Sequence, residues 1–500
     1  MKYAILLFGL IFFPTELYAK TVRYELNVTR GFVNLSGKES VDWALMINGG
    51  IPAPTLEFTE GDEAEITVVN KTEEEVSTHW HGILLPPLED GVAYVNTPPI
   101  YAGQSRTFRF KIRQHGTYWY HSHTMVQEQK GLYGAIVIHP KKKIIASDKE
   151  VVVVLSDWSD ENADQILKNL RKDGDYYLYK KDSVRSYWGA LRAGKLGSHL
   201  KNEWQRMGGM DLSDVGYDAF LINGKKDSQL LTAHPGEKIR IRVINAAASS
   251  YFYVSLGKDP FQVISADGID IKPVWTKEIL IGMAETYDIL FTVPEHKNYE
   301  LRATCQDVTG FASGWIGMGE KVPAPTKPLP DMYATMDHSG MDHSKMEGMD
   351  HSKMDHSKMN HSQPKDSDEK NATVETDEHS GHQGISAKQA ARKEKPQSHP
   401  QAGHENHGGM DHSKHQMAGQ GKVLEKKHSG AVVESLSVDG LQALASTVLP
   451  KNAPVRDLKL VLDGDMERYI WHINGKAIYE DRVININEGE VVRLDRKSVV

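Results

Sequence analysis

One phrase occurs three times in this chain, and it constrains the fold more than any other feature. Ile47-Asn48-Gly49 is followed by Glu60-Gly61-Asp62 and a strand-like run ending at Asn70. Ile222-Asn223-Gly224 is followed by Pro235-Gly236-Glu237 and the run Ile239 to Asn245. Ile473-Asn474-Gly475 is followed by Glu488-Gly489-Glu490 and Val491 to Leu494. Each copy is an Asn-Gly turn, a second glycine turn and a strand. Three copies of one unit predict three similar β domains in tandem. In the first copy, Glu63 to Val69 and Thr107 to Ile112 alternate with period two, and Gly134 to His139 reads as a closing strand. Strands at this spacing predict a sandwich or barrel.

A length of 500 residues leaves room for the three domains. Hydrophobic content of 39% and charged content of 25% fit a soluble globular protein, and a formal net charge of -8 gives no reason to expect nucleic-acid binding. Residues 1–19 read as a secretory signal: Lys2, an apolar run from Ala4 to Phe13, and Leu17-Tyr18-Ala19 as a cleavage site. The run is too short to span a bilayer, and no other stretch offers a stable membrane span. An N-terminal anchor is the alternative reading. No twin-arginine pair precedes the run, so the export route stays open. The single cysteine, Cys305, excludes an intramolecular disulfide framework. No histidine flanks it, so it reads as a buried thiol.

Two histidine pairs carry the chemistry. His79-Trp80-His81-Gly82 and His121-Ser122-His123 each place imidazoles at i and i+2. Side chains two apart on a strand share a face. Four imidazoles from two neighbouring strands suit a metal cluster and exceed the needs of one zinc site. Imidazole suits copper, zinc, iron and nickel, so ligand type alone leaves the metal open. The second domain has no such pair, and His234 and His296 read as turn or surface residues. Ile166 to Leu170 and the charged, aromatic segment beyond it read as helices. Met207 and Met210 lie beyond them, as a copper-entry point or as gap-filling core.

His79-Trp80-His81-Gly82 and Tyr118-Trp119-Tyr120-His121-Ser122-His123 resemble the first two copper motifs of multicopper oxidases, most closely the copper-resistance (CopA-type) group. The resemblance runs from about Thr21 to Leu494. It implies tandem cupredoxin-like Greek-key sandwiches: domain one over 20–145, domain two over 146–330 and domain three over 431–500. It further implies that His79 binds a type 2 copper and that His81, His121 and His123 bind a type 3 pair. Asp90 matches an acidic position that helps deliver protons to bound oxygen in such proteins; a plain Asp-Gly turn is the alternative. The group's last domain also carries a His-Pro-x-His-x-His-Gly run and a His-Cys-His run, which complete the trinuclear cluster and supply the type 1 site. Neither run occurs in these 500 residues. Asp495 to Val500 does not read as the expected apolar strand, and the third sandwich is expected to be truncated.

Residues 331–430 are of low complexity. Met336-Asp337-His338-Ser339 opens a series of pairs: Met341 with His343, Met349 with His351, Met354 with His356, Met359 with His361 and Met410 with His412. With few large apolar residues this insertion is expected to be disordered. Histidine and thioether donors together point to copper, with an inert linker as the alternative. The resemblance implies a periplasmic copper-tolerance oxidase, taking Cu(I) or phenols as reductant and reducing dioxygen to water, but the chain as written lacks the type 1 site and is not expected to be a competent oxidase. A copper-sequestering protein without oxidase chemistry and a non-functional truncated product are the competing readings.

Overall fold

An Asn-Gly pair adopts left-handed backbone at both positions more easily than any other pair, and that geometry matches the twist of a hairpin. All three copies use it. Asn48, Asn223 and Asn474 have φ of 52°, 51° and 55°, and the glycines that follow have φ of 79°, 76° and 71°. Each asparagine amide then clips the neighbouring long strand: Asn27 N donates to Asn48 Oδ1 (2.8 Å), Val154 N to Asn223 Oδ1 (2.8 Å) and Val461 N to Asn474 Oδ1 (2.8 Å). In this computed structural model the described residues are 20–329, apart from 143, 173–175, 182–185 and 205–212, and then 432–436, 440–445, 454–465, 470–480 and 483–498. The expected secretory signal, Met207, Met210 and all of residues 331–430 lie outside them.

The first domain comprises β1 (Thr21–Val33), β2 (Val41–Ile47), β3 (Ala53–Thr59), β4 (Glu63–Asn70), β5 (His79–His81), β6 (Ser105–Lys111), β7 (Gly116–His121) and β8 (Tyr133–His139). They form two four-stranded sheets, β2-β1-β4-β6 and β3-β8-β7-β5. β1 runs antiparallel to β2 and parallel to β4. The strands Ala219–Ile222, Lys149–Trp158 and Lys238–Asn245 repeat that pattern in the second domain, and Ile470–Ile473, Val455–Asp465 and Val491–Ser498 repeat it in the third. The expectation of repeated β-sandwich units is met in this pairing. The strand Val491–Ser498 also runs on through Asp495, Arg496 and Lys497, contrary to the sequence reading. Charge is tolerated there because Asp495 lies opposite Lys459, and paired opposite charges do not oppose strand pairing.

Alternation along β7 explains where the domains meet. Every residue from Gly116 to His121 is buried. Tyr118 and Tyr120 point into the first core, with Leu45, Phe58, Ile66 and Trp80. Trp119 points the other way and packs with Tyr133 and Ala135 against Val154, Ile244 and Ala246 of the second domain. Thr117, on Trp119's face, joins a buried polar cluster: its Oγ1 donates to Asp288 Oδ1 (2.6 Å) and accepts from Arg242 Nη1 (2.9 Å).

In the second domain, Ile166 to Leu170 lies in the helix Ala163–Lys172, as its pattern predicts. Residues 432–436 and 442–444 pair with this domain rather than with the third repeat: Val432 and Val433 add to the strand Ile269–Thr276. Leu436 N donates to the Glu278 carbonyl (3.1 Å) and Lys272 N to the Gln442 carbonyl (2.8 Å).

Candidate metal centre

The two histidine motifs are brought together by one short antiparallel pairing. β5 and β7 align His79 with His121 and His81 with Trp119. Trp80 turns into the core, fully buried, so its flanking imidazoles face the opposite side. His123 lies just past the end of β7, where its N–H donates to Ser77 Oγ (2.9 Å). Ser122 Oγ donates to Gln127 Oε1 (2.8 Å), tying down the turn between the two imidazoles. The rings gather closely: centroids are 5.4 Å apart for His79–His81, 5.6 Å for His79–His121, 5.0 Å for His79–His123 and 4.8 Å for His121–His123. Ligand atoms of His79, His81 and His121 all lie within 4.8 Å of one another.

Second contacts orient the rings. His79 Nδ1 lies 2.8 Å from the Asp90 carbonyl, which can only accept, so Nδ1 carries the proton and Nε2 keeps its lone pair. That approach depends on Gly91: at φ 85°, a Cβ there would stand 1.7 Å from the Thr78 carbonyl. The Asp90 carboxylate sits with Oδ1 3.4 Å from His79 Nδ1 and Oδ2 accepting from Asn96 Nδ2 (2.7 Å). His81 Nδ1 faces His121 Nε2 at 3.4 Å. Two imidazole nitrogens each about 2.0 Å from one ion at a tetrahedral angle lie roughly 3.3 Å apart, so this pair suits a shared metal. Trp119 stacks flat on His121, with centroids 4.0 Å apart and planes at 8°. Glu128 Oε2 comes within 2.8 Å of His121 Nδ1 but without hydrogen-bond alignment, so this buried nitrogen has no hydrogen-bond partner.

Burial sets the protonation states. It pushes His121 down to about 3, helped by His79, and pushes His81 and His123 down to about 4, helped by neighbouring imidazoles. These three rings are therefore neutral at pH 7, the form that ligates a metal. Burial also pushes Glu128 up to about 7. The donor set fits copper: imidazoles with lone pairs turned toward one another, held neutral in a partly dry pocket.

Asp90 stands beside His79, with its carbonyl 2.8 Å and its carboxylate 3.4 Å from Nδ1. Sequence reasoning misses Glu128, because its place seven residues past His121 carries no motif. His234 and His296 are exposed. Cys305 is buried at 2% exposure, with Sγ donating to Asp307 Oδ1 (2.9 Å), and burial with that carboxylate lifts the thiol to about 12. The structure does not bear on the copper ligands expected in the Met/His-rich insertion. Met336, His338, Met341, His343, Met349, His351, Met354, His356, Met359, His361, Met410 and His412 all lie outside the described residues. The metal-type cluster among the described residues is built from the first domain's imidazoles alone.

Sequence profiles of the multicopper oxidase family match residues 27–143 and 149–316. Copper resistance protein A of Escherichia coli is 38% identical over 337 residues, covering 65% of this chain and 55% of that protein. A Copper resistance protein A homolog of Pseudomonas syringae pv. tomato is 38% identical over 334 residues, covering 63% and 56%. The chain thus spans a little over half the length of these relatives. Among solved structures, the crystal structure of Fet3p, a multicopper oxidase that functions in iron import, matches in fold with a TM-score of 0.51 at 19% identity, covering 64% of this chain and 56% of that one. With profile matches and histidine motifs in agreement, the chain belongs to the multicopper oxidase family, in its copper-resistance (CopA-type) group.

Proposed function

We propose that this protein is an exported, periplasmic copper-resistance oxidase in which His79, His81, His121 and His123 supply half the ligands of a trinuclear copper cluster. The reading rests on one observation above the others: His81 Nδ1 and His121 Nε2 face each other at 3.4 Å within a cluster of imidazoles that burial keeps neutral. Bound copper would supply one-electron redox chemistry, drawing electrons from Cu(I) or a phenol and passing them to dioxygen, which leaves as water. The chain's own groups hold and orient. The Asp90 carbonyl fixes the His79 tautomer, and the Asp90 carboxylate, held by Asn96, keeps a proton-accepting oxygen beside that ring. Trp119 covers one face of His121 and excludes water from it.

A second reading, copper sequestration without oxidase chemistry, draws on different observations. Six Met-x-His-Ser repeats occupy residues 336–413, and Cys305, the one thiol, is engaged with Asp307 and far in sequence from any histidine pair. Copper-loaded protein separates the two. A blue absorption band with oxygen uptake on adding Cu(I) or a phenol supports the oxidase. Copper binding without either supports sequestration. Removing residues 331–430 should then lower copper content sharply while the four imidazoles retain theirs; unchanged copper content would sink the sequestration reading.

A further inference from the structure

A cavity of about 320 Å³ opens at the seam of the first two domains and is lined by His81, Trp119, Asp267, Met283 and Glu285. His81 turns Nδ1 toward His121, and its Nε2 has no hydrogen-bond partner among the described residues. A ligating imidazole normally donates its second nitrogen to a fixed acceptor. Here that nitrogen belongs to a ring that borders an open cavity. The opposite wall is a tight turn in which Glu285 Oε2 accepts from Gly282 N (2.7 Å), and the turn presents Met283 at 40% exposure. Methionine at this exposure forgoes core packing, and its thioether is a soft donor that selects Cu(I). Asp267, held by Thr286 N on its Oδ1 (3.0 Å), adds a second carboxylate. Two carboxylates in a concave opening attract cations.

These groups do not close on one point. Among the described residues, the only metal-type cluster of ligand atoms within 4.8 Å is His79, His81 and His121. A passage needs this looseness, because ions must bind well enough to enter and weakly enough to leave. Position adds a third argument. Lys327 Nζ donates to Glu278 Oε1 (2.8 Å) and Lys277 N donates to the Val433 carbonyl (3.2 Å), so the described chain on either side of the Met/His-rich stretch is fastened at Lys277–Glu278. The strand Glu278–Ile281 leads from that fastening to Met283, at most about 17 Å of chain away.

We propose that this cavity is the entry passage for copper to the imidazole cluster, with the Met283 thioether as the first ligand met by incoming Cu(I) and with Asp267 and Glu285 drawing the ion in. The proposal rests on the reading of the four imidazoles as a copper site. It is tested on the full chain by stopped-flow mixing with anaerobic Cu(I) in dilute acetonitrile, following tryptophan emission. Trp119 lies 4.0 Å from the His121 ring, so filling the cluster quenches it, and the phase missing from His121→Ala reports that filling. Met283→Leu should slow this phase by about fivefold or more at unchanged amplitude, and Met283→Cys, another soft donor, should restore it. Met125→Leu, which removes an exposed thioether outside the cavity, should leave the rate as it was. A wild-type rate in Met283→Leu, or equal slowing in Met125→Leu, overturns the passage while the copper site stands. No His121-dependent phase in the unaltered chain overturns the copper site and the passage with it.

Discussion

Asp288→Asn should destabilise the metal-free protein more than any other single charge removal at the seam. The Asp288 side chain is 1% exposed and stands between two guanidiniums, Arg240 at 8% and Arg242 at 1%. It accepts from Arg240 Nε (2.8 Å), Arg242 Nη1 (3.1 Å) and Thr117 Oγ1 (2.6 Å). Breaking a buried ion pair from one side costs about 3–5 kcal/mol, because the remaining charge stays buried without its partner. Two local carboxylates soften the loss: Glu150 Oε2 holds Arg242 at 2.8 Å, and Asp270 Oδ1 lies 3.9 Å from Arg240. The expected cost is therefore near the lower limit, about 3 kcal/mol, or a fall in Tm of roughly 6–12 °C for a unit of this size. Calorimetry on metal-free protein reads it directly. Glu150→Gln, at a side chain 27% exposed, should cost well under half as much. Thr117→Val combined with Asp288→Asn should cost less than the sum of the two, since both remove the same contact. A Tm within about 2 °C of the unaltered protein would refute the argument, for it would mean that water reaches the cluster and screens it.

Other outcomes follow from the same geometry. Gly91→Ala should weaken copper binding at the imidazole cluster by at least about tenfold, because its Cβ would force the Asp90 carbonyl off His79; equilibrium dialysis against Cu(II) measures it. Metal-free protein should lose stability as pH falls from about 6.5 toward 4. Unfolded imidazoles take up protons in that window while His81, His121 and His123, depressed to about 4, 3 and 4, do not. At pH 5 the His121 contribution lost is about 2 kcal/mol, partly countered by Glu128, whose raised value favours acid; a urea midpoint flat between pH 7 and 5 would contradict this. Cys305 should resist iodoacetamide in the folded protein and react only on unfolding, as read by mass spectrometry, because its thiol is buried and raised to about 12.

Local chemistry makes much of this protein legible in its sequence. Asn48, Asn223 and Asn474 announce themselves because few pairs other than Asn-Gly tolerate two left-handed residues in a row. The imidazole pairs are readable for a related reason: spacing of two on a strand fixes the face without knowledge of the partner strand. What escapes is non-local. Thr117, Arg242 and Asp288 come from three separate strands, and nothing in the flanking residues of any one points to the others. Residues 432–436 and 442–444 join the second domain through a two-residue pairing and scattered backbone bonds, too short to leave a periodic pattern. Charges usually end strands, so the sequence reads Val491–Ser498 as stopping at Leu494; its pairing with Val455–Asp465 outweighs them.

Gathering the imidazoles before any metal arrives has an electrostatic condition. Protonated rings with centroids 4.8–5.6 Å apart would repel one another in a pocket too dry to screen them. Burial removes the conflict most fully at His121, whose proton affinity it lowers furthest, and that burial is imposed by Trp119 and the second domain behind it. The second domain has no histidine pair, yet it supplies this condition. Val154, Ile244 and Ala246 back the Trp119 ring, and Asp288 and Arg242 grip Thr117 four residues from His121. Loosening the seam would admit water, restore ordinary imidazole basicity and let the rings repel. The Asp288 variant should therefore show a weaker copper affinity at pH 5 than at pH 7 by a larger factor than the unaltered protein does. Seam and site are in this sense one structure, in which a domain without ligands decides whether the ligands of its neighbour can stay together.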